Sequence, residues 1–322
     1  MAGKNQHHVW QLLQRGFADE EFGDHHLWVY RSGEKPKRTV TRKFGCERFF
    51  YGPQGSKADT NITEFEQSFQ GVIQSARAAE SKSVLDPNLI GPIIASLEAR
   101  SYFFRQDSIR LGNILMGALE VHFRSRVKVK LLLKKYLEKN PEKIMESIGI
   151  REGSPELEGA IREYLDCKLP ELVDKLLDDG GLDLSMLEEV KGSVGEIVRT
   201  AQIEALQSDL GRMERVNLHL HRKYIVQLSG DDRFILPDTG LCFLKKDGIS
   251  PMTAKGDVVD EVLFPISDTV LIVGTKSDPI TRSVRSTNRL LAVYSYQGFA
   301  SRSEGEATFC LRGRIGKHAE TI

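Results

Sequence analysis

The chain contains no apolar run approaching the roughly 20 residues that a membrane-spanning helix requires. Its opening, Met1-Ala-Gly-Lys-Asn-Gln-His-His, lacks the hydrophobic stretch of a secretory signal. Cysteine is sparse: Cys46, Cys167, Cys242 and Cys310 stand far apart and form no CxxC pair, as expected of reduced thiols in a cytoplasmic protein. Net charge is also missing, with 45 Lys plus Arg against 45 Asp plus Glu in 322 residues, which excludes a histone-like nucleic-acid binder or an acidic tail protein. No P-loop, no GxGxxG after a strand, no GxSxG elbow and no HExxH occurs. What is present, 40% hydrophobic and 28% charged residues, suits a soluble globular chain of one large or two modest domains.

Three zones follow one another. Within residues 6–52, His26-Leu-Trp-Val-Tyr30 and Arg38-Thr-Val-Thr-Arg42 read as strands joined by the turn residues Ser32-Gly-Glu-Lys-Pro36, and Cys46–Tyr51 as a third. Residues 61–222 read almost wholly helical. Thr63-Glu-Phe-Glu66 has capping-box spacing and predicts a helix start, continued by Phe65, Phe69, Val72, Ile73 and Ala76. Asp86-Pro87 predicts a second start, with a stripe of Ile90, Ile93, Ile94, Leu97 and Phe104. Long helices are expected from Ser108 to Asn140 and from Val194 to Leu220. Strands return at 224–228, 233–236, 241–244 and 269–273, with a last helix over 286–300. The expected fold class is α+β, a largely helical middle with a small mixed or antiparallel sheet built from both chain ends.

Charge is uneven although it sums to zero. Residues 122–143 hold eight Lys/Arg against two acids, and residues 152–189 hold twelve acids against three bases. Residues 1–151 and 191–322 are therefore expected to form one composite domain, and 152–190 an acidic helical insertion that docks a basic partner or simply presents a solvated face. Arg124, Lys128, Lys130 and Lys135 suit a track for a phosphate backbone. Their alternative is snorkelling, since Val127, Val129 and Leu131–Leu133 interleave with them.

The two chain ends carry a family resemblance. His7-His8-Val9-Trp10-Gln11-Leu12-Leu13-Gln14-Arg15-Gly16-Phe17 resembles the opening of a bacterial family of unknown function, number 4238, which runs His-Tyr-Val-Pro-Gln-Phe-Tyr-Leu-Arg-Asn-Phe. His7, Val9, Gln11, Arg15 and Phe17 match; Trp10 stands where Pro is usual and Gln14 where Leu is usual. Leu27–Tyr30, Phe50-Tyr51 and Glu64 or Glu66 are similar to its next landmarks. Phe234–Gly240 is similar to its Phe-Ile-Thr-Ser-Asp-Asn-Pro element, Phe264-Pro-Ile-Ser267 to its Phe-Pro-Leu-Ser, and Asn288 to a later Asn. The resemblance implies a shared fold and supplies no activity.

Its polar landmarks suggest one constellation. His7, Glu66 and Asp238 would suit a hard divalent ion, Mg²⁺ or Mn²⁺, that activates water. Arg105 and Gln106, in Arg105-Gln-Asp-Ser-Ile-Arg110, would steady phosphate charge where a helix breaks. Each has a structural alternative: a capping box for Glu66, an Asx-turn for Asp238, a carbonyl-bonded ring for His7 and a helix-pinning cation for Arg105. Two function classes follow. The first is a metal-dependent phosphodiester hydrolase, nuclease-like, acting on nucleic acid. The second is a non-catalytic interaction module with a protein partner. Neither expects a membrane, and self-association stays open.

Overall fold

A computed structural model describes residues 5–19, 21, 25–139, 168, 171, 175, 185–207, 209–245, 248–250, 258–277 and 280–317. After the short helix α1 (Gln11–Arg15), the first long helix, α2 (Lys57–Ala78), begins at Ser56 and not at Thr63. The Ser56 hydroxyl accepts from the Asp59 amide at 3.4 Å, and the Asp59 carboxylate accepts from the Gly55 amide at 3.0 Å. The spacing Ser56-x-x-Asp59 thus does what Thr63-x-x-Glu66 was expected to do. Thr63 lies inside the helix, its hydroxyl donating to the Asp59 carbonyl at 2.8 Å, so Glu66 is free of any capping duty.

Asp86 caps α3 (Pro87–Ala99) as expected, accepting from the Asn88 amide at 2.8 Å with Pro87 in the first turn. The apolar stripe expected to continue to Phe104 is cut at Arg100 and Ser101, where α4 (Tyr102–Phe123) takes over. The helix expected from Ser108 to Asn140 is likewise two pieces, α4 and α5 (Arg126–Lys139). Helices α6 (Ser185–Gln207) and α7 (Asp209–Leu220) occupy the last helical stretch.

Three antiparallel sheets account for the strands. A pair joins β1 (Asn5–His7) to β4 (Cys46–Arg48). A four-stranded sheet draws on both chain ends, with β2 (His26–Arg31), β3 (Lys37–Val40), β7 (Leu236–Pro237) and β12 (Gly298–Ser301) in the order β3-β2-β12-β7. The largest sheet has the order β5-β6-β11-β10-β8-β9. Its strands are β5 (Val84–Leu85), β6 (Lys223–Leu228), β8 (Cys242–Lys245), β9 (Gly248–Ser250), β10 (Val259–Pro265) and β11 (Val270–Thr275). Every residue of β11 is buried because both faces are covered. Leu271 and Val273 join a core with Phe234, Leu291 and Phe299, while Val270 and Ile272 join one with Trp10, Ile94 and Phe264.

The helix expected over 286–300 is shorter: α8 (Val284–Tyr294) ends at Ser295 and β12 follows. Asn288 explains one landmark of the sequence. Its amide acts as a surrogate strand, accepting from the Ile235 amide at 3.1 Å and donating to the Arg233 carbonyl at 2.8 Å. A last short helix, α9 (Glu306–Leu311), closes the chain.

The chain divides into two compact units, Met1–Asp107 with Val198–Ile322, and Ser108–Ile197. The acidic insertion expected at 152–190 lies outside the described residues except for Lys168, Glu171, Lys175 and residues 185–190. Among the described residues no helix is long and apolar enough to cross a membrane.

The two competing helix starts separate by mutation. Ser56→Ala should cost about 1 kcal/mol, the usual loss of an N-cap hydroxyl. Thr63→Ala should cost about half of that or less, since an interior threonine bonded to its own preceding turn adds little to a helix. Urea unfolding of the two variants checks the order; a costlier Thr63→Ala would return the start to Thr63.

Candidate functional site

The site grows from β1 and the residues after it, all within the first unit. Gln6 is buried and locks this strand to the following turn, donating to the Gly52 carbonyl at 3.1 Å and accepting from the Tyr51 amide at 2.5 Å. The Tyr51 hydroxyl donates to the His7 carbonyl at 2.9 Å. His7 and His8 are thereby held side by side. The His7 ring is bonded to the carbonyls of Thr41 and Arg42, leaving Nε2 without a partner. The His8 ring is bonded to the Asp238 carbonyl, leaving Nδ1 buried and without a partner. It sits 5.5 Å from the Phe50 ring and 5.6 Å from the Tyr102 ring.

Burial, then the positive charge of Arg100, pulls the His7 pKa down to about 4. Burial, then Arg100, His7 and Arg105, pulls His8 down to about 3. Both rings are neutral at pH 7. His7 Nε2 and His8 Nδ1 are the ring nitrogens left without a partner.

Arg100 dominates the electrostatics and was not singled out by the sequence. It is the cap residue of α3, fully buried, with its guanidinium carbon 5.1 Å above the Trp10 ring. Nη1 donates to Glu66 Oε1 at 2.6 Å. Nε and Nη2 have no partner, and neither has the buried Trp10 Nε1. Nε–H and Nη2–H form one edge of the guanidinium fork, the edge that takes two oxygens of an oxyanion in parallel. Glu66, His7 and His8 are each partly exposed and rim this interior.

Asp238 has a different task from metal binding or an Asx-turn. Its carboxylate accepts the amides of Tyr296 at 2.7 Å, Gln297 at 2.6 Å and Gly298 at 3.0 Å. Burial pushes its pKa up to about 6, against the pull of these backbone donors. A divalent ion shared by His7, Glu66 and Asp238 needs carboxylate oxygens that are free to ligate. Both Asp238 oxygens accept backbone amides, and Glu66 Oε1 accepts from Arg100. Among the described residues no three His, Cys, Asp or Glu side chains gather as metal ligands.

Arg105 belongs to the same neighbourhood, but its Nε–Nη2 edge is already taken. It donates to Gln202 Oε1 at 2.7 Å and to the Phe50 carbonyl at 2.8 Å, and lies 3.6 Å over the Phe50 ring. It pins helices, through Gln202 and not through Asp107 or Glu98. Gln106 is partly exposed on α4. Arg124, Lys128, Lys130 and Lys135 fall in the second unit. Arg124 pairs with Glu120 at 2.6 Å, one helical turn earlier; Lys128 and Lys135 are exposed, and the Lys130 side chain lies outside the described residues. Of the apolar residues interleaved with them, Val127 is exposed and Val129 buried.

Two outcomes follow for stability. Asp238→Asn sets an amide N–H₂ against three backbone donors and should cost about 2–3 kcal/mol, the scale of hydrogen bonds to a charged group. An unchanged melting temperature would remove the structural role of Asp238. For pH, the unfolded chain protonates His7 and His8 near 6.5, whereas the folded chain resists until about 4 and about 3. Stability held by the neutral rings is therefore lost as pH falls from 6.5 toward 4. Asp238 acts oppositely between about 6 and 3.8, where the folded form binds the proton more readily, but one carboxylate does not cancel two imidazoles. His8→Gln should flatten the fall of Tm across that range.

No family model, no curated protein and no solved structure matches the chain, so the reading of these residues stands on their geometry.

Proposed function

We propose that this chain binds the phosphate group of a ligand at Arg100. The supporting observation is the unpartnered Nε–Nη2 edge of a fully buried guanidinium. Each buried hydrogen-bonding group left unmade costs about 1–3 kcal/mol, more when charged. An oxyanion that meets both N–H groups recovers that cost and supplies the charge that burial otherwise denies the cation. A carboxylate would be used up by the fork. A tetrahedral phosphate has further oxygens for Trp10 Nε1–H, the neighbouring unpartnered donor.

Phosphodiester hydrolysis is the second reading, and His8 favours it. Its Nδ1 is buried without a partner beside Arg100, where it can accept a hydrogen bond from a ligand or a water, and its pKa of about 3 makes it a weak base. This chemistry uses the chain's own residues. The interaction-module reading rests on the acidic segment, which lies outside the described residues.

The test is a thermal-shift titration at constant ionic strength with inorganic phosphate, sulfate and acetate. Binding to the folded state alone raises stability by about 2.7 kcal/mol at a hundredfold excess over Kd. Phosphate should raise Tm more than acetate, Arg100→Met should abolish the shift, and Arg100→Lys should keep a fraction of it. No phosphate shift in a folded parent protein would sink the proposal. For hydrolysis, turnover of bis(p-nitrophenyl) phosphate in EDTA should be present in the parent protein and lost in His8→Gln.

A further inference from the structure

The phosphate pocket has an aromatic rim. Tyr102 follows Arg100 after a single intervening residue, and its ring lies 5.6 Å from His8 and 5.7 Å from Tyr296. Tyr296 in turn meets Phe103 edge-on at 5.7 Å. Phe50 and Phe103 are buried beneath, whereas Tyr102 and Tyr296 are each partly exposed. The two tyrosines are also fixed. The Tyr296 amide donates to Asp238 Oδ1 at 2.7 Å, and the exposed Gln297 hydrogen-bonds the Tyr102 hydroxyl.

Half-exposed rings on a rigid floor are the usual device for stacking a nucleobase, because every base offers a π-face. A partly exposed tyrosine alone is unremarkable. Two of them, tilted 53° to one another and reached through His8 from a buried guanidinium with a free fork edge, make a pair of subsites, one aromatic, the other a donor set for an oxyanion. Arg105 lies against Phe50 with its Nε–Nη2 edge bonded to Gln202 and the Phe50 carbonyl, so it holds the floor in place. We infer that the ligand is a nucleoside phosphate, its phosphate on the Arg100 fork and its base stacked on Tyr102 and Tyr296. A free nucleotide and one residue of a single strand share this chemistry.

The inference rests on phosphate binding at Arg100, and the experiment keeps the two apart. Isothermal titration of the full chain would compare inorganic phosphate, ribose 5-phosphate, a nucleoside monophosphate and a short oligothymidylate, with Tyr296→Leu, Tyr102→Leu and Arg100→Lys alongside. Leucine keeps apolar bulk without a π-face, and the Tyr296 amide still reaches Asp238; circular dichroism confirms folding. The nucleoside monophosphate should bind about tenfold or more tightly than ribose 5-phosphate, the scale of one stacked base. Either tyrosine variant should erase that difference and leave ribose 5-phosphate binding intact, and Arg100→Lys should weaken all the ligands together. Tighter binding of the oligothymidylate than of the monophosphate identifies a strand, and the reverse a free nucleotide; both support the inference. Equal affinity for ribose 5-phosphate and the monophosphate overturns the base subsite while phosphate recognition stands. Failure of every phosphate to bind removes both.

Discussion

The carboxylate of Asp238 is the point on which the first unit turns. Its two oxygens gather the amides of Tyr296, Gln297 and Gly298, and its own amide donates back to the Gly298 carbonyl at 3.0 Å. That clamp follows directly on the end of α8 and aligns β12, which then pairs with β2 on one side and β7 on the other. The Asp238 carbonyl meanwhile receives the His8 ring. One residue therefore joins the N-terminal strand, the short strand β7 and the C-terminal turn. A buried carboxylate survives such a position because charge-assisted backbone bonds replace the water it has lost.

Arg100 is buried on different terms. Its stacking on Trp10 and its pair with Glu66 satisfy one side of the guanidinium and leave the other without partners. Elsewhere in the same unit two arginines are answered by oxygens of the chain. Arg77 donates to the carbonyls of Ile266 and Leu12, at 2.7–2.9 Å, and Arg105 to Gln202 and Phe50. Arg222 also retains unpartnered nitrogens, but it donates to the Val259 carbonyl at 3.1 Å and lacks the indole and imidazole company of Arg100. The contrast gives Arg77 and Arg105 structural work and is what singles out Arg100 for the proposed phosphate site.

Much of the fold was legible in the sequence because local signals agreed with tertiary packing. The hairpin of β2 and β3, the Asp86-Pro87 start and the α+β class all follow from turn residues and periodicity. The misread helix start has a simple cause: the capping spacing occurs twice, at Ser56–Asp59 and at Thr63–Glu66, and spacing alone does not say that the earlier one is used. Strand β10 was missed because Asp260 and Glu261 interrupt its apolar run. The strand absorbs them with an irregularity between Val259 and Glu261, and Arg282 pairs with the buried Glu261. Of the residues singled out, His7 lies in the field of Arg100 and Glu66 is bonded to it, whereas the Asp238 carboxylate is taken by the amides of Tyr296, Gln297 and Gly298. Their partners were not legible, since Arg100 and Trp10 sit in no motif and matter only through burial. An arginine directly after the apolar stripe of α3, with a second helix starting at once, was the one available signal.

Glu66 decides whether the Arg100 pocket can accept an anion. A carboxylate beside a phosphate site repels its ligand, and a buried ion pair contributes little net stability because desolvation offsets attraction. Here the geometry separates the two demands. Glu66 occupies Nη1, on the side of the guanidinium away from the Nε–Nη2 edge, and its side chain keeps 29% of its surface in water. Solvent screens Glu66 where it faces outward, while its bond to Nη1 fixes the plane of the guanidinium and so the direction of the free fork. Arginine suits this double attachment because its donors diverge at fixed angles; a lysine ammonium drawn to Glu66 would direct less of its charge at a ligand. The ion pair is thus an orienting device, and the open edge it leaves is what the buried cation presents for binding.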